Sequence, residues 1–299
     1  MGVETHSERM CPMKLSLLAA QTAPILPLLR CPHCQEAFSL RQEQSLVCSQ
    51  GHCFDLSAKG YVNLAPGHNQ QTEKYDGALF ASRRLVLQRG FYDTLLEAVA
   101  RMILEALPQG KPFTLLDAGC GEGFYARELA RRFPAARVLG LDLSRDAISA
   151  AARESRAESV DVHWLVGNLA RLPLADHSVD VLLNILTPAD YAQFSRVLSA
   201  GGFLVKVVPG PRYLEQVRAG VAEHLRSAAY SNQRVLEHLQ AHGQILERCS
   251  ILGTFPVTLQ EAAAFLSMTP MTFGVGEEAL GGVSFSEITL DLEVLRVRM

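Results

Sequence analysis

The chain has 299 residues, of which 48% are hydrophobic and 20% are charged, and its formal net charge is -3. This composition excludes a mostly disordered or fibrous protein, and the length allows one large domain or two unequal ones. The chain is not a polycation, so any binding of nucleic acid must use local basic patches. It has no run of about 18 apolar residues, and we therefore expect no membrane-spanning helix.

The first 30 residues are interpreted as an N-terminal extension. Residues 15–29 are apolar with a basic residue at each end, which superficially resembles a signal peptide. Pro24 and Pro27 interrupt this run, and acidic residues precede it. We therefore expect a cytoplasmic protein whose extension packs one side against the body of the chain.

The cysteines are clustered, because four of the seven fall between positions 31 and 53. An odd, clustered set in a chain of this length is not typical of a secreted disulfide framework and indicates a metal site. The cluster reads C-x2-C, thirteen residues, then C-x3-H, and comprises Cys31, Cys34, Cys48 and His52. Three thiolates and one imidazole form a closed tetrahedral set that is typical of structural zinc.

Two neighbouring residues compete with this ligand set. Cys53 would give a feasible C-x4-C spacing, and His33 lies inside the first knuckle. We prefer His52 as the fourth ligand because its longer side chain can reach the site from a turn that Gly51 permits. The remaining alternative is a group of free thiols without metal.

The cysteine cluster belongs to a small predicted zinc-binding domain over residues 31–66. Segments 37–40 and 45–47 can pair as short strands, and a unit this small needs the metal for most of its folding energy. A linker and a helix are predicted over residues 67–91, and the body of the chain over 92–299.

A glycine-rich turn follows the first strand of the body, in the sequence FTLLDAGCGEG. Glycines let the backbone approach a ligand closely and adopt positive φ. Asp117 and Glu122 would repel the pyrophosphate of a dinucleotide but suit a cationic ligand such as S-adenosylmethionine. The pattern D-x-G-x-G-x-G is the signature of class I methyltransferases. The predicted cofactor contacts in this loop are Asp117, Gly119, Gly121, Glu122 and Gly123.

Two later strand ends extend the predicted cofactor site. Asp142 ends the next strand, 19 residues after Gly123, where a carboxylate can hold ribose hydroxyls. Asn168 follows the third strand, where a polar side chain would meet the adenine. A nicotinamide dehydrogenase could share this pattern, but the acidic loop favours methyl transfer.

Strands that alternate with helical segments predict an α/β fold with a mostly parallel, doubly wound, Rossmann-like sheet. We expect a C-terminal antiparallel hairpin to complete this sheet, after a helix with its extension over residues 213–242. The predicted strands that follow the acidic loop and Asp142 are residues 160–166, 179–185, 203–208, 245–253 and 283–290.

Several motifs over residues 31–275 carry a more specific resemblance. They are CPHC and CSQGH, FDLSAKGYVNL, paired arginines before GFY, DAGCGEGFY, PGPRYL and MTP. Together they resemble the bacterial 23S ribosomal RNA (guanine-N1)-methyltransferase family. The resemblance implies zinc at the Cys3His cluster and S-adenosylmethionine against Tyr92, Gly121, Glu122 and position 213. That position, a histidine in one member of the family, is Tyr213 here, and an aromatic polar side chain could keep the contact.

The implied reaction needs help at the acceptor. Guanine N1 carries a proton near neutral pH, so a base or a hydrogen-bond acceptor at N1-H is useful. Asp190 and Asp76 are candidates, and Asn184 and Thr187 could orient the base edge, although turn-capping roles are as common for such residues. Asp190 and Asn184 are the catalytic residues that we predict.

The implied RNA would lie between the zinc unit and the carboxyl edge of the sheet, touching Arg83 and Arg84. A homodimer that grips one RNA with both zinc units would fit this arrangement, although no sequence feature demands it. Two alternatives remain. One is a small-molecule methyltransferase with a zinc-ribbon accessory domain, and the other is a non-catalytic zinc-ribbon RNA-binding protein that senses the cofactor.

Overall fold

The computed structural model describes residues 13–67, 77–225 and 230–299. Within these ranges the chain forms a central sheet of eleven strands with helices on both faces. The strands are β1 Phe38–Arg41, β2 Ser45–Cys48, β3 Cys53–Ser57, β4 Tyr61–Asn63, β5 Phe113–Ala118, β6 Ala136–Asp142, β7 His163–Val166, β8 Val179–Ile185, β9 Leu198–Pro209, β10 Gln244–Pro256 and β11 Glu287–Arg298. The helices are α1 Leu15–Thr22, α2 Gly77–Gln88, α3 Asp93–Ala106, α4 Phe124–Arg132, α5 Arg145–Ala157, α6 Tyr191–Val197, α7 Glu215–Gly220, α8 Gln233–Gln240, α9 Leu259–Met268 and α10 Glu277–Gly281.

The strand order is β1-β2-β3-β4-β7-β6-β5-β8-β9-β11-β10. The six strands from β4 to β9 in this order run parallel, and β11 is antiparallel to both β9 and β10. The predicted mostly parallel sheet and its C-terminal antiparallel hairpin are therefore confirmed. The carboxyl ends of the parallel strands meet at one edge of the sheet.

The zinc unit is continuous with this sheet. Strands β1, β2 and β3 form an antiparallel meander, and β4 leads from it to a parallel pairing with β7 in which Val62 lies opposite Leu165. Because β4 lies inside residues 31–66, hydrogen bonds join the zinc unit directly to the body. The division of the chain into domains at 30, 66 and 91 stays a proposal.

The described part of the N-terminal extension, residues 13–30, packs one side on the body, as predicted. In α1 and the following 3-10 helix over Ala23–Leu28, Leu18 and Ile25 are buried, and Leu29 forms an isolated β-bridge with Leu174. None of the helices in the three described ranges is long and apolar enough to cross a membrane.

One predicted helix is wrong. The segment 213–242 does not form a single helix, because α7 ends at Gly220 and α8 begins only at Gln233. Gly220 packs against the segment that precedes β11. An added Cβ on Gly220 would be 2.3 Å from the Cγ1 atom of Val283 in this segment. This close contact needs glycine, which is a weak helix former. Most of the predicted linker falls on residues 68–76, outside the described ranges.

Candidate active site and zinc site

The four predicted zinc ligands come together in one cluster. The ligand atoms of Cys31, Cys34, Cys48 and His52 all lie within 4.8 Å of one another. The Sγ atoms of Cys34 and Cys48 are 3.6 Å apart, and His52 Nδ1 is 3.5 Å from Cys31 Sγ and 3.3 Å from Cys48 Sγ. Zinc bonds of about 2.0–2.3 Å place tetrahedral ligands at about such separations. The donor set therefore fits a structural zinc ion.

The two competing residues lie outside this cluster. Cys53 is exposed, and its sulfur accepts a hydrogen bond of 3.2 Å from the guanidinium of Arg41. The His33 ring stacks on Phe54, with centroids 5.7 Å apart. Gly51 has a φ of 82° in the turn between Cys48 and His52, which is the conformation that glycine permits.

The zinc knuckle is anchored to a loop of the body, residues 168–175. The guanidinium of Arg171 donates to the carbonyl of His33 at 2.8 Å, and the amide of Arg30 donates to the carbonyl of Pro173 at 2.9 Å. The first residues of the same loop, among them Asn168, line the large cleft described next. One short segment therefore contacts both the zinc unit and the cleft.

A cleft of about 1400 Å³ lies at the carboxyl edge of the parallel strands. This is where a doubly wound sheet places its ligands. Most of the predicted cofactor residues line it. They are Tyr92, Asp117, Gly119, Gly121, Glu122, Asp142, Asn168 and Tyr213.

Two buried carboxylates make the floor of this cleft suitable for a cation. Asp117 Oδ2 and Glu122 Oε1 are both buried, and neither has a hydrogen-bond partner among the described residues. Burial, reinforced by the charge of Asp142, raises the pKa of Asp117 to about 7, and burial also raises the pKa of Glu122 to about 7. A bound ammonium or sulfonium group would satisfy oxygens that are otherwise costly to bury. The acidic loop therefore fits the cationic end of S-adenosylmethionine.

Asp142 fixes the turn and faces the cleft. Its two oxygens accept hydrogen bonds from the amides of Gly121 and Ser144, at 2.9 and 2.8 Å. Burial raises the pKa of Asp142, although these amides partly offset the rise. Each carboxylate oxygen has a second lone pair, so the side chain can still accept hydrogen bonds from ribose hydroxyls.

Gly119 keeps the loop after β5 close to the loop after β8. Its φ is 83°, and an added Cβ would lie 2.6 Å from the Oγ1 atom of Thr187. The space between the two loops therefore has no room for a side chain. Gly119 serves the site by allowing this close approach.

Gly123 has a different role from the predicted cofactor contact. It does not line the cleft, and an added Cβ at its φ of 71° would lie 2.0 Å from the ring of Trp164. The assignment of Gly123 to the cofactor is therefore corrected, because its missing side chain makes room for a buried indole below the loop.

Replacing Gly123 with alanine is expected to destabilise the fold. Gly110→Ala is a matched control, because Gly110 has a φ of 72° and nothing within 4 Å of an added Cβ. Overpacking against Trp164 should make Gly123→Ala less stable than the control by about 1–3 kcal/mol. Urea unfolding of both variants measures this difference, and equal stabilities would contradict the packing role.

Tyr92 and Tyr213 meet across the cleft. Their hydroxyl oxygens are 2.7 Å apart, although 121 residues separate them in the chain. Burial raises the pKa of Tyr213 to about 12, so both hydroxyls stay protonated near neutral pH. The pair thus offers a neutral, polar surface next to the acidic loop.

The predicted catalytic residue Asn184 is placed elsewhere than expected. It is fully buried, its amide donates to the carbonyls of Ala118 and Pro188 at 3.2 and 3.0 Å, and its oxygen accepts from the ammonium of Lys206. All these contacts are within the protein, so the prediction that Asn184 orients the acceptor is wrong. Asn184 positions Lys206 and the loop after β8.

Asp190 lines the cleft and is also the N-cap residue of α6. One of its oxygens accepts from the amide of Gln193 at 3.0 Å as the helix cap. The other candidate for the base, Asp76, lies outside the described residues.

Leu186, between β8 and Asp190, has a left-handed backbone with a φ of 52°, and its apolar side chain is exposed. Such strain is common where a loop contacts a ligand.

The two arginines that are expected to contact RNA, Arg83 and Arg84, lie near the acidic loop. Arg83 lines the cleft itself, and an added Cβ on Gly121 would lie 3.7 Å from its Nη1 atom. The Nη2 atom of Arg84 is 4.0 Å from Oε2 of Glu122 and 3.4 Å from Oε1 of Glu154. Both side chains therefore lie beside the acidic loop and α5, and their contact with RNA stays a prediction.

Sequence reasoning missed Lys206, a buried side chain that lines the cleft. The available signal was a single charged residue inside the apolar strand sequence LVKVV. Charged side chains are rarely fully buried without a partner or a function.

Comparisons with known proteins cover both parts of the chain. A zinc-ribbon model described as "RlmA, N-terminal" matches residues 29–73, and a model described as "Methyltransferase domain" matches residues 115–202. A malonyl-[acyl-carrier protein] O-methyltransferase of Dechloromonas aromatica (strain RCB) is 27% identical over 63% of this chain and 64% of its own length.

Several relatives match over most of their own length. The Bacillus subtilis (strain 168) protein YxjB, which is named among the 23S rRNA (guanine-N(1)-)-methyltransferases, is 32% identical over 90% of this chain and 96% of its own length. The 23S rRNA (guanine(748)-N(1))-methyltransferase of Streptomyces fradiae is 32% identical over 83% of this chain and 87% of its own length. With its zinc ribbon and its acidic cofactor cleft, this chain belongs to the 23S rRNA (guanine-N(1)-)-methyltransferase family.

Proposed function

We propose that this chain transfers the methyl group of S-adenosylmethionine to N1 of a guanine in a loop of 23S ribosomal RNA. The observation that carries the proposal is one loop, residues 168–175, that joins a Cys3His zinc unit to the rim of an acidic cleft. Two relatives named for this activity match 90% and 83% of the chain.

The cofactor residues have distinct roles in this proposal. S-adenosylmethionine supplies an electrophilic methyl group on a sulfonium centre. Asp117 and Glu122 bind the cationic end of this ligand, and Asp142 accepts hydrogen bonds from its ribose. The support is the orphaned oxygens of the first two and the free lone pairs of the third.

Five further residues complete the proposed cofactor site. Asn168 meets the adenine, since it follows β7 on the cleft wall. Tyr92 and Tyr213 close the cleft beside the acidic loop through their shared hydrogen bond. Gly119 and Gly121 bring the backbone of that loop close to the ligand.

The acceptor occupies the remaining part of the cleft. Pockets for one small ligand are about 300–1,000 Å³, so a cleft of about 1400 Å³ has room for a cofactor and a base. Guanine must present its pairing edge as a loop nucleotide or after leaving the stack. Asp190, whose cap contact uses one oxygen, is the proposed acceptor for the N1 proton.

Zinc is the proposed metal at Cys31, Cys34, Cys48 and His52. The closed Cys3His set leaves no position for water, so the ion stabilises the fold of the zinc unit and takes no part in the reaction. The zinc unit is proposed to read the shape of the RNA loop, since the net charge of -3 disfavours binding through phosphate density alone.

Transfer of a radiolabelled methyl group separates the proposal from both alternatives. With unmethylated 23S ribosomal RNA as acceptor, we expect label in RNA that digests to N1-methylguanosine. A small-molecule methyltransferase would label only metabolite acceptors, and a non-catalytic RNA-binding protein would label neither. Either of these outcomes would overturn the proposed function.

Two finer points complete the proposal. A ribosomal RNA substrate implies a cytoplasmic enzyme. The homodimer, with both zinc units on one RNA, stays a prediction. Sedimentation of the protein with and without an RNA hairpin measures how many chains bind one hairpin. A single chain per hairpin would contradict it.

A further inference from the structure

We propose that Lys206 is a further catalytic residue, whose ammonium donates a hydrogen bond to O6 of the acceptor guanine as N1 loses its proton. The inference deepens the proposed function and rests on it. Neither the sequence pattern nor the proposed cofactor site assigns a role to Lys206.

The position of Lys206 carries this inference. It lies on β9 directly beside Asn184 of β8, at the carboxyl edge where reacting groups lie in such sheets. Only 4% of the residue is exposed, and Lys206 is among the residues that line the cleft. Its neighbour along the cleft wall is the loop that holds Leu186, Thr187 and Asp190.

The hydrogen bonds of Lys206 leave one donor for a ligand. The ammonium group has three N–H donors. One goes to the side-chain oxygen of Asn184 and another to the carbonyl of Thr187 at 2.8 Å. Both acceptors are neutral, so they hold the cation at the cleft wall without cancelling its charge.

No carboxylate among the described residues forms an ion pair with Lys206. Asp190 caps α6, and Glu293 on β11 contacts Arg248 and Asn232. Burial accordingly lowers the pKa of Lys206 to about 8. A buried cation without a counter-ion is costly, and an acceptor that develops negative charge would repay part of that cost.

The chemistry of guanine explains why a cation would help. Loss of the N1 proton to Asp190 or water leaves negative charge that is shared between N1 and O6. The N1 electron pair then forms the bond to the methyl carbon, while the carbon–sulfur bond breaks with its electrons on sulfur. A donor aimed at O6 stabilises the anion before this transfer, as an oxyanion hole does for an acyl group.

The test compares Lys206→Met with Lys111→Met, a control at an exposed surface turn. Loss of one such donor costs about 100-fold in kcat, so we expect about this loss at pH 7 with the affinity for S-adenosylmethionine unchanged. The deficit should narrow above pH 8, because the lysine then loses its charge and guanine N1 ionises more readily without help. The measurement is kcat for N1-methylguanosine formation in RNA between pH 6.5 and 9.5.

A second variant separates this role from a purely structural one. Asn184→Ala removes the tether of the loop but keeps the cation. If Lys206 only anchors the loop, both variants should lose activity by the same factor at every pH, and the inference is overturned. Wild-type activity in Lys206→Met would also overturn it. Absence of N1-methylguanosine with the wild-type protein would instead contradict the proposed function itself.

Discussion

Cys48→Ser is expected to release zinc and to unfold the zinc unit. Zinc contributes about 10–16 kcal/mol to the folding of small zinc-finger peptides, and β1–β3 form a similarly small unit around their metal. The bound metal should fall from one ion per chain to near zero, as measured by atomic emission. Thermal unfolding should start at a lower temperature.

Cys53→Ser is the matched control for this change. Its sulfur is exposed and lies outside the ligand cluster, so the substitution should leave both zinc content and unfolding unchanged. Retention of one zinc ion by Cys48→Ser, or loss of zinc from Cys53→Ser, would contradict the Cys3His assignment.

The zinc unit should also affect the cleft at a distance. The 168–175 loop contacts His33 through Arg171 and lines the cleft with Asn168. Loss of order in the knuckle therefore removes the anchors of this loop. We expect Cys48→Ser to weaken S-adenosylmethionine binding, as measured by calorimetry, while an unchanged affinity would show that loop and knuckle are independent.

Asp117→Asn is expected to weaken S-adenosylmethionine binding by about 10- to 100-fold. A hydrogen bond to a charged group contributes about 1.5–3 kcal/mol, and 1.4 kcal/mol is a factor of ten in affinity. Asp161→Asn is the control, since Asp161 is exposed before the amino end of β7. Calorimetric affinities of the two variants measure the difference.

The carboxyl of Asp117 makes both S-adenosylmethionine binding and the stability of the fold depend on pH. The pKa of folded Asp117 is raised to about 7, so the cation-binding anion is lost as pH falls below 7 and affinity should fall with it. Between about pH 4 and pH 7 the folded chain holds a proton that the unfolded chain has lost, so stability falls as pH rises through this window.

Asp117→Asn removes the contribution of Asp117 to both pH dependences, and the contribution of Glu122, whose pKa is also raised to about 7, remains. Above pH 7 the ligand-free variant should unfold at a higher temperature than the wild type, because it no longer buries an unpaired charge. Affinity and stability should therefore change in opposite directions. A variant that loses both together would indicate a structural role for Asp117.

The sequence predicted features that are encoded over short distances. The zinc ligands follow from two local spacings, and the acidic loop follows from one strand and its turn. Asp142 and Asn168 follow because parallel strands all present their carboxyl ends at one edge. These residues meet in the structure because β5, β6 and β7 are neighbouring parallel strands, whose carboxyl ends lie side by side.

Features that depend on side-chain direction could not be predicted in this way. Asn184 points into the protein toward Lys206, although its place at a strand end suggested a contact with the acceptor. The missing side chain of Gly123 makes room for the ring of Trp164, which lies two strands away in the sheet. The hydroxyl pair of Tyr92 and Tyr213 likewise depends on a tertiary contact that no local pattern specifies.

The position of the transferred methyl group in the RNA is the direct test of the proposed function. Unmethylated 23S ribosomal RNA, incubated with the protein and S-adenosylmethionine that carries a deuterated methyl group, is digested to nucleosides for mass spectrometry. We expect the label to appear as N1-trideuteromethylguanosine. Label on another guanine atom or on another base, or no label in the RNA, would contradict it.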